Sequence, residues 1–187
     1  ERRIVMHRGE ASFQVVHDQE RPFVVHADDV QVRAVGTAFT VRLQPDDVEV
    51  IVTEGVVEVI RDGRASRHTA ERVARNEEVV VATAEESVDE PLRVAALSEG
   101  EVARKLSWQD GKLIFQGEEL ARAVAEVNRY SSTPVVIDDP ELGAKSFVGV
   151  FRIGDSRAFA HAAAAAFNTR IREENGALHL ERSPAGH

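Results

Sequence analysis

Gly36-Thr37 is the residue pair in this chain whose types and order carry the most specific chemistry. A threonine hydroxyl can attack the carbonyl of the residue before it when that peptide is held in a strained geometry. The amide becomes an ester, which water then hydrolyses. Glycine suits the preceding position because it tolerates unusual dihedrals and lets the hydroxyl approach. The competing reading is a turn or bulge glycine with a β-forming threonine beside it.

Three histidines form a second constellation. His7, His17 and His26 fall near the ends of neighbouring expected strands, with Asp18 and Asp28 nearby, and would serve as ligands in a cupin-like metal-binding enzyme. No two of them have a tight His-x-His spacing, and polar residues are expected at strand ends, so no metal site is assigned. There is no Gly-x-Ser-x-Gly, and the glycines are too scattered to cradle a phosphate. A polymer-binding β face would want exposed aromatics, yet Trp108 and Tyr130 are the only Trp and Tyr. The chain is therefore read as no enzyme and without a cofactor, a single-turnover cut at Gly36-Thr37 being its one candidate reaction.

These residues sit in a chain of 187 with 43% hydrophobic and 29% charged side chains, a globular balance rather than a disordered one. Aromatics are only 5%, so Val, Leu, Ile and Ala must build the cores. A net charge of −9 repels phosphate backbones, and no basic patch is segregated, so nucleic acid is not an expected partner. The absence of cysteine excludes disulfides and thiolate chemistry. The longest uncharged apolar run, Ala158 to Phe167, falls far short of the ~20 residues that span a membrane. With Glu1 as first residue and no signal peptide, the sequence is expected to be an excised soluble portion of a longer protein.

Up to about Ala84 the pattern is strands and turns. Strands are expected at Ile4–Met6, Ala11–Val16, Phe23–His26, Val30–Ala34, Phe39–Leu43, Val48–Val52, Val56–Ile60 and Val79–Ala82. Gly9, Pro45-Asp46-Asp47 and Asp62-Gly63 punctuate them. Asp28-Asp29-Val30-Gln31-Val32 recurs as Asp46-Asp47-Val48-Glu49-Val50, and each copy runs into a glycine and a second valine-rich strand. The glycines fall out of step by one, Gly36 coming earlier in its unit than Gly55. A repeated turn-strand-Gly-strand unit suggests stacked β layers; equally, Asp-Asp is a common turn opener. The first domain, 1–90, is read as all-β, a sandwich or solenoid-like stack.

Glu85-Glu86 and Asp89-Glu90-Pro91 open an acidic linker, assigned to 91–107, where Ser98 and Glu101 fit the capping box of a short helix. A small α+β domain, 108–183, follows in the order β-α-β then β-α-β-β, expected as one sheet with helices on one face. Its elements are Lys112–Phe115, a helix over Glu118–Tyr130, Val135–Ile137, Phe147–Phe151, a helix capped by Asp155 or Ser156 and running to Phe167, and two strands flanking Asn175-Gly176.

Taken together, several motifs resemble a known family. His7-Arg8-Gly9-Glu10-Ala11-Ser12-Phe13, Arg21-Pro22-Phe23-Val24-Val25, Val35-Gly36-Thr37-Ala38-Phe39-Thr40-Val41 and Glu54-Gly55-Val56-Val57-Glu58-Val59 resemble the FecR domain. That domain is the periplasmic part of transmembrane anti-sigma regulators of iron and siderophore uptake. Trp108, Gly111, Leu113, Phe115, Leu120 and Asn128-Arg129-Tyr130 resemble the family's carboxy-terminal part, which is similar to the short secretin-and-TonB N-terminal module (STN). One departure is Asn76, where the family often has glycine.

The resemblance implies a signal relay. An amino-terminal cytoplasmic segment, absent from this sequence, binds an extracytoplasmic-function sigma factor, one helix crosses the inner membrane, and the periplasmic part meets the signalling domain of an outer-membrane TonB-dependent receptor. It also implies that Gly36-Thr37 is a self-cleavage candidate, because several members are cut between Gly and Thr at this position. Partner contact is expected on the second domain, through Leu113, Phe115, Leu120, Val124, Val127, Val135 and Ile137 on its strands or first helix. The opposing reading makes each of these a core residue.

Overall fold

Valine at alternate positions gives the amino-terminal strands one apolar face each, and two such faces must meet. The computed structural model describes residues 1–62, 68–83 and 91–182, so Gly63, the acidic stretch 85–90 and His187 lie outside the described residues. It divides into two units, Glu1–Val102 and Ala103–His187.

In the first unit, strands β1 (Arg2–Met6), β2 (Gly9–Gln14), β3 (Phe23–Ala27), β4 (Val30–Ala34), β5 (Ala38–Leu43), β6 (Asp47–Glu54), β7 (Val56–Asp62), β8 (His68–Ala74), β9 (Glu77–Ala82) and β10 (Val94–Ala96) make two five-stranded sheets. One sheet has the order β1-β3-β4-β7-β8 and the other β10-β9-β6-β5-β2. All neighbours are antiparallel except β1 and β3. Val25, Val32 and Val59 from one sheet and Val41, Val50 and Val79 from the other are fully buried in a single core. Each such valine contributes roughly 1.5–3 kcal/mol by leaving water. The stack is a sandwich.

The sequence echo acquires a structural meaning here. β4 and β6 are the counterpart strands, and they lie in different sheets. Each echo unit is a strand that then crosses to the opposite sheet at its glycine. The one-residue mismatch is a bulge: Phe39 pairs with Val52 and Ala38 with Glu54, so Thr53 is the extra residue. Its Oγ1 donates to the Ala38 carbonyl at 3.1 Å. Asn76 takes φ +61° between β8 and β9, a left-handed position that asparagine tolerates better than most residues.

β8 and β10 were not expected from the sequence. β10 pairs with β9 inside the segment read as linker. Helix α1 (Glu99–Lys105) follows with its expected capping box: Ser98 Oγ accepts from Glu101 N at 3.3 Å, and the Glu101 carboxylate accepts from Ser98 N at 2.8 Å.

The second unit runs β11 (Lys112–Glu119), α2 (Leu120–Arg129), β12 (Val135–Ile137), α3 (Pro140–Gly143), β13 (Ser146–Arg152), α4 (Ser156–Phe167), β14 (Thr169–Glu174) and β15 (Ala177–Arg182). The expected order of strands and main helices is present, with α3 added. The expected single sheet is not. β11 and β13 form a two-stranded sheet, while β12, β15 and β14 form a separate three-stranded one, and α2 and α4 pack against both. Phe115, Phe147 and Phe159 fill the core, and the alanines of α4 let it approach closely. Asn128 replaces a strand neighbour for β12: its Nδ2 donates to Val135 O at 2.8 Å and its Oδ1 accepts from Val135 N at 2.7 Å. Asp155 caps α4 through Ala158 N at 3.0 Å. Asn175 and Gly176 take φ +51° and +78°, as a two-residue hairpin requires.

The β14–β15 hairpin carries a charge cluster with a pH consequence. A hydrogen bond from Arg172, opposed by desolvation and reinforced by Arg170, holds the Glu181 carboxyl below the ordinary carboxylate range. A lowered carboxylate stabilises the fold above its unfolded pKa, and that contribution is lost as pH falls through the folded value. Glu181→Gln should therefore lower Tm near neutral pH and make no difference once both carboxylate states are protonated. A Tm difference that persists unchanged into strong acid would refute the ion-pair origin.

Candidate functional site

Two of the points at which the chain changes sheets touch each other. Residues 35–37 carry it from β4 to β5, and Gly55 carries it from β6 to β7. A Cβ placed on Gly55 would lie 2.8 Å from Thr37 Cγ2 and 3.2 Å from the Gly36 carbonyl oxygen. Gly55 itself has φ +79°. Glycine is required there twice over, for its dihedral and for the space that the Gly36–Thr37 peptide occupies.

Gly36 is glycine for a different reason from the one its sequence suggests. Its φ lies outside the left-handed region. A Cβ on it would instead fall 2.7 Å from His17 Nδ1, 2.9 Å from His17 Cβ and 3.0 Å from His17 Cα. The position is closed by an imidazole rather than set by an unusual backbone angle. Thr37 is 6% exposed, and its Oγ1 is buried without a hydrogen-bond partner among the described residues. Buried hydroxyls are normally bonded, so an orphaned one stands out.

The segment that brings His17 here is well anchored. Val15 N–H donates to Thr37 O at 2.9 Å, and Asp18 N–H donates to Val35 O at 3.0 Å, so the carbonyls on either side of Gly36 are both held. Between these two bonds the segment is one residue longer than the strand it faces, and the surplus places His17 over Gly36. Asp18 closes the following loop by accepting from Glu20 N, Arg21 N and Arg21 Nε at 3.1, 3.0 and 3.0 Å. Partial desolvation would raise its carboxyl, but the Arg21 bonds and the charges of Arg21 and Arg2 outweigh this and hold it below the ordinary range. Arg2 also donates to Val16 O at 3.3 Å and Arg21 O at 3.1 Å.

Of the other histidines, His7 and His26 line one open groove with Asp28, Arg8 and Gln44, and His17 stands apart from it. Among the described residues no three His, Cys, Asp or Glu side chains come together as a metal site requires. Trp108 and Tyr130 are half-buried.

In the second unit the residues proposed for partner contact sit inside. Leu113, Phe115, Leu120, Val124, Val127 and Val135 are buried in the core, and Ile137 packs against it. The six buried side chains are covered in the folded unit, and Ile137 keeps part of its surface exposed. The apolar residues that do face out were not anticipated: Val148 is 71% exposed and Val150 62%, on the side of the two-stranded sheet away from Phe147 and Phe151. Ile114 lies opposite Val150, and exposed Lys112 and Arg152 end the same face. Phe147-Val148-Gly149-Val150-Phe151 is apolar on both faces, so alternation alone could not tell inside from outside.

Among the described residues no helix is long and apolar enough to cross a membrane. Residues 1–58 match the family described as FecR protein. No curated protein matches the chain. Two crystal structures of a "putative anti-sigma factor" from Parabacteroides distasonis ATCC 8503 share its fold. One is 22% identical, with a TM-score of 0.73 over 97% of this chain and 81% of that one. The other is 21% identical, with a TM-score of 0.71 over 95% of this chain and 78% of that one. The family matched over residues 1–58 is the one that the motifs there resemble.

Proposed function

We propose that this FecR-type chain is the periplasmic signalling part of a transmembrane anti-sigma regulator. The FecR match over residues 1–58 carries the reading, and the fold shared with the Parabacteroides protein supports it. The regulator's cytoplasmic segment holds an extracytoplasmic-function sigma factor, and the part described here receives the signal of siderophore uptake. The carboxy-terminal unit is STN-like, and its partner is the signalling domain of a TonB-dependent outer-membrane receptor.

The contact falls on the β11–β13 sheet. Two strands leave two open edges, which offer unpaired N–H and C=O groups for strand addition. Val148, Val150 and Ile114 provide an apolar face beside those edges. Val150→Glu should weaken binding of the receptor signalling domain on the order of tenfold or more, as loss of a central apolar contact does. Because Val150 is already exposed, circular dichroism and Tm should stay unchanged. Unchanged affinity would remove this face from the interface, and a pull-down that recovers no TonB-dependent receptor would remove the partner.

Gly36-Thr37 is, in this reading, a bond the fold cuts once in its own chain. The orphaned Thr37 hydroxyl supports it: a nucleophile that makes no ground-state hydrogen bond loses none on attacking. The packing of Gly55 against the peptide supports it too, since it fixes the carbonyl and the hydroxyl-bearing residue together. The reaction turns over a single time and makes the chain no enzyme.

A further inference from the structure

We infer that His17 is the proton-transfer residue for cleavage at Gly36–Thr37. The inference rests on the reading of that bond as self-cleaving and adds the group that makes the chemistry feasible at neutral pH.

A threonine hydroxyl is a poor nucleophile until a base takes its proton, and an amide nitrogen is a poor leaving group until an acid supplies one. One group placed over the peptide can do both. His17 Nδ1 lies 2.7 Å from the position of a Cβ on Gly36. Gly36 Cα is covalently bonded to the reacting carbonyl carbon, so the imidazole lies beside the residue whose carbonyl is attacked. Histidine is also the side chain whose ordinary pKa allows both directions of transfer near neutrality.

The placement is built, not incidental. Val15 and Asp18 anchor the backbone on both sides of His17 to Thr37 and Val35, and the extra residue between those anchors pushes His17 against Gly36. The Asp18 carboxylate beside it is engaged by Arg21 and the loop backbone. A Cβ on Gly55 would likewise fall against the Gly36 carbonyl oxygen and Thr37 Cγ2. The peptide thus has two close approaches, each with room only for glycine at its centre.

The step balances as follows. Thr37 Oγ forms a bond to the Gly36 carbonyl carbon while its proton passes to His17. The resulting tetrahedral centre collapses with rupture of the bond from carbon to Thr37 nitrogen, and His17 returns the proton to that nitrogen. The product is an ester between the Gly36 carbonyl and Thr37 Oγ, with a free Thr37 amine. Water adds to the ester and breaks it, leaving a Gly36 carboxylate and the restored Thr37 hydroxyl.

The test follows cleavage of freshly synthesised chain by intact mass, as conversion into pieces 1–36 and 37–187. Native chain should cleave and Thr37→Ala should remain whole. His17→Ala and His17→Gln should both cleave on the order of a hundredfold more slowly, the lower end of what acid–base groups contribute. His17 is exposed, so added imidazole should restore much of the rate to His17→Ala. His17 variants that cleave at the native rate would overturn the inference and leave the bond itself self-cleaving. Slowed variants that imidazole fails to rescue would replace proton transfer by packing. A native chain that stays whole on long incubation would overturn the self-cleavage reading, and the role of His17 with it.

Discussion

Gly55→Ala is expected to destabilise the amino-terminal unit by about 2–5 kcal/mol. Two costs combine. A non-glycine residue at φ +79° costs roughly 1–2 kcal/mol in a left-handed conformation. The new methyl would also sit 2.8 Å from Thr37 Cγ2 and 3.2 Å from the Gly36 carbonyl oxygen, and overpacking of this kind typically costs about 1–3 kcal/mol. Gly9 separates the two, since it has φ +89° and nothing within 4 Å of its notional Cβ. Gly9→Ala should therefore show the dihedral cost alone. Amide hydrogen exchange in β5, β6 and β7 would measure both variants in the unit concerned. Equal losses in the two would mean that the Gly36–Thr37 peptide leaves room for a methyl group at Gly55, contrary to the close approach of the two crossings.

The second unit should respond most to Phe159→Ala, by about 3–5 kcal/mol. Phe159 is fully buried, with ring centroids 5.9, 5.1 and 5.2 Å from those of Phe115, Phe147 and Phe151. It is the fully buried ring through which α4 meets the two-stranded sheet; Ala160 and Ala163 beside it have little volume to fill a void, and Phe167 adds a ring only beside Phe147. Phe151→Ala, at a half-buried position, should cost less. Trp108, the only tryptophan, lies in this unit and reports its urea unfolding by fluorescence. A loss below about 1.5 kcal/mol for Phe159→Ala would show that the cluster collapses into the gap, contrary to its packing.

What could be read from the sequence was local. Alternating valines marked the inner strands, and Ser98, Asp155 and Asn175-Gly176 marked two helix starts and a hairpin, since caps and turns act over three or four residues. β8 escaped because an edge strand need bury only one face weakly: of its apolar residues Val73 alone reaches the core. β10 is three residues long and carries no period at all. The separation of the second unit into two sheets was illegible for a different reason, that strand order depends on pairings between distant segments. Gly36-Thr37 was visible as a pair of residue types, but the cause of its glycine was not. That cause is His17, nineteen residues earlier in the chain, where a histidine near a strand end looked like surface. The echo between the glycines held a hint, since matched crossings of one sandwich must lie close together. The residues expected at the partner contact turned out mostly buried for a related reason, apolar positions being chosen without knowing which face was already covered.

The paired crossings also bear on how the first unit comes into being on the ribosome. Because the chain shuttles between layers at residues 35–37 and at Gly55, neither sheet is a continuous stretch of sequence. The first layer waits for β7 and β8, and the second for β9 and β10, before its order is complete. Neither layer can be completed before strands of the other have been synthesised. β2 in particular has no partner until β5 arrives, and β4 has only β3 until β7 does. Such non-local pairing makes for slow, all-together folding late in synthesis. The approach of Gly55 to the Gly36–Thr37 peptide is thereby timed: the two meet only when the layers close.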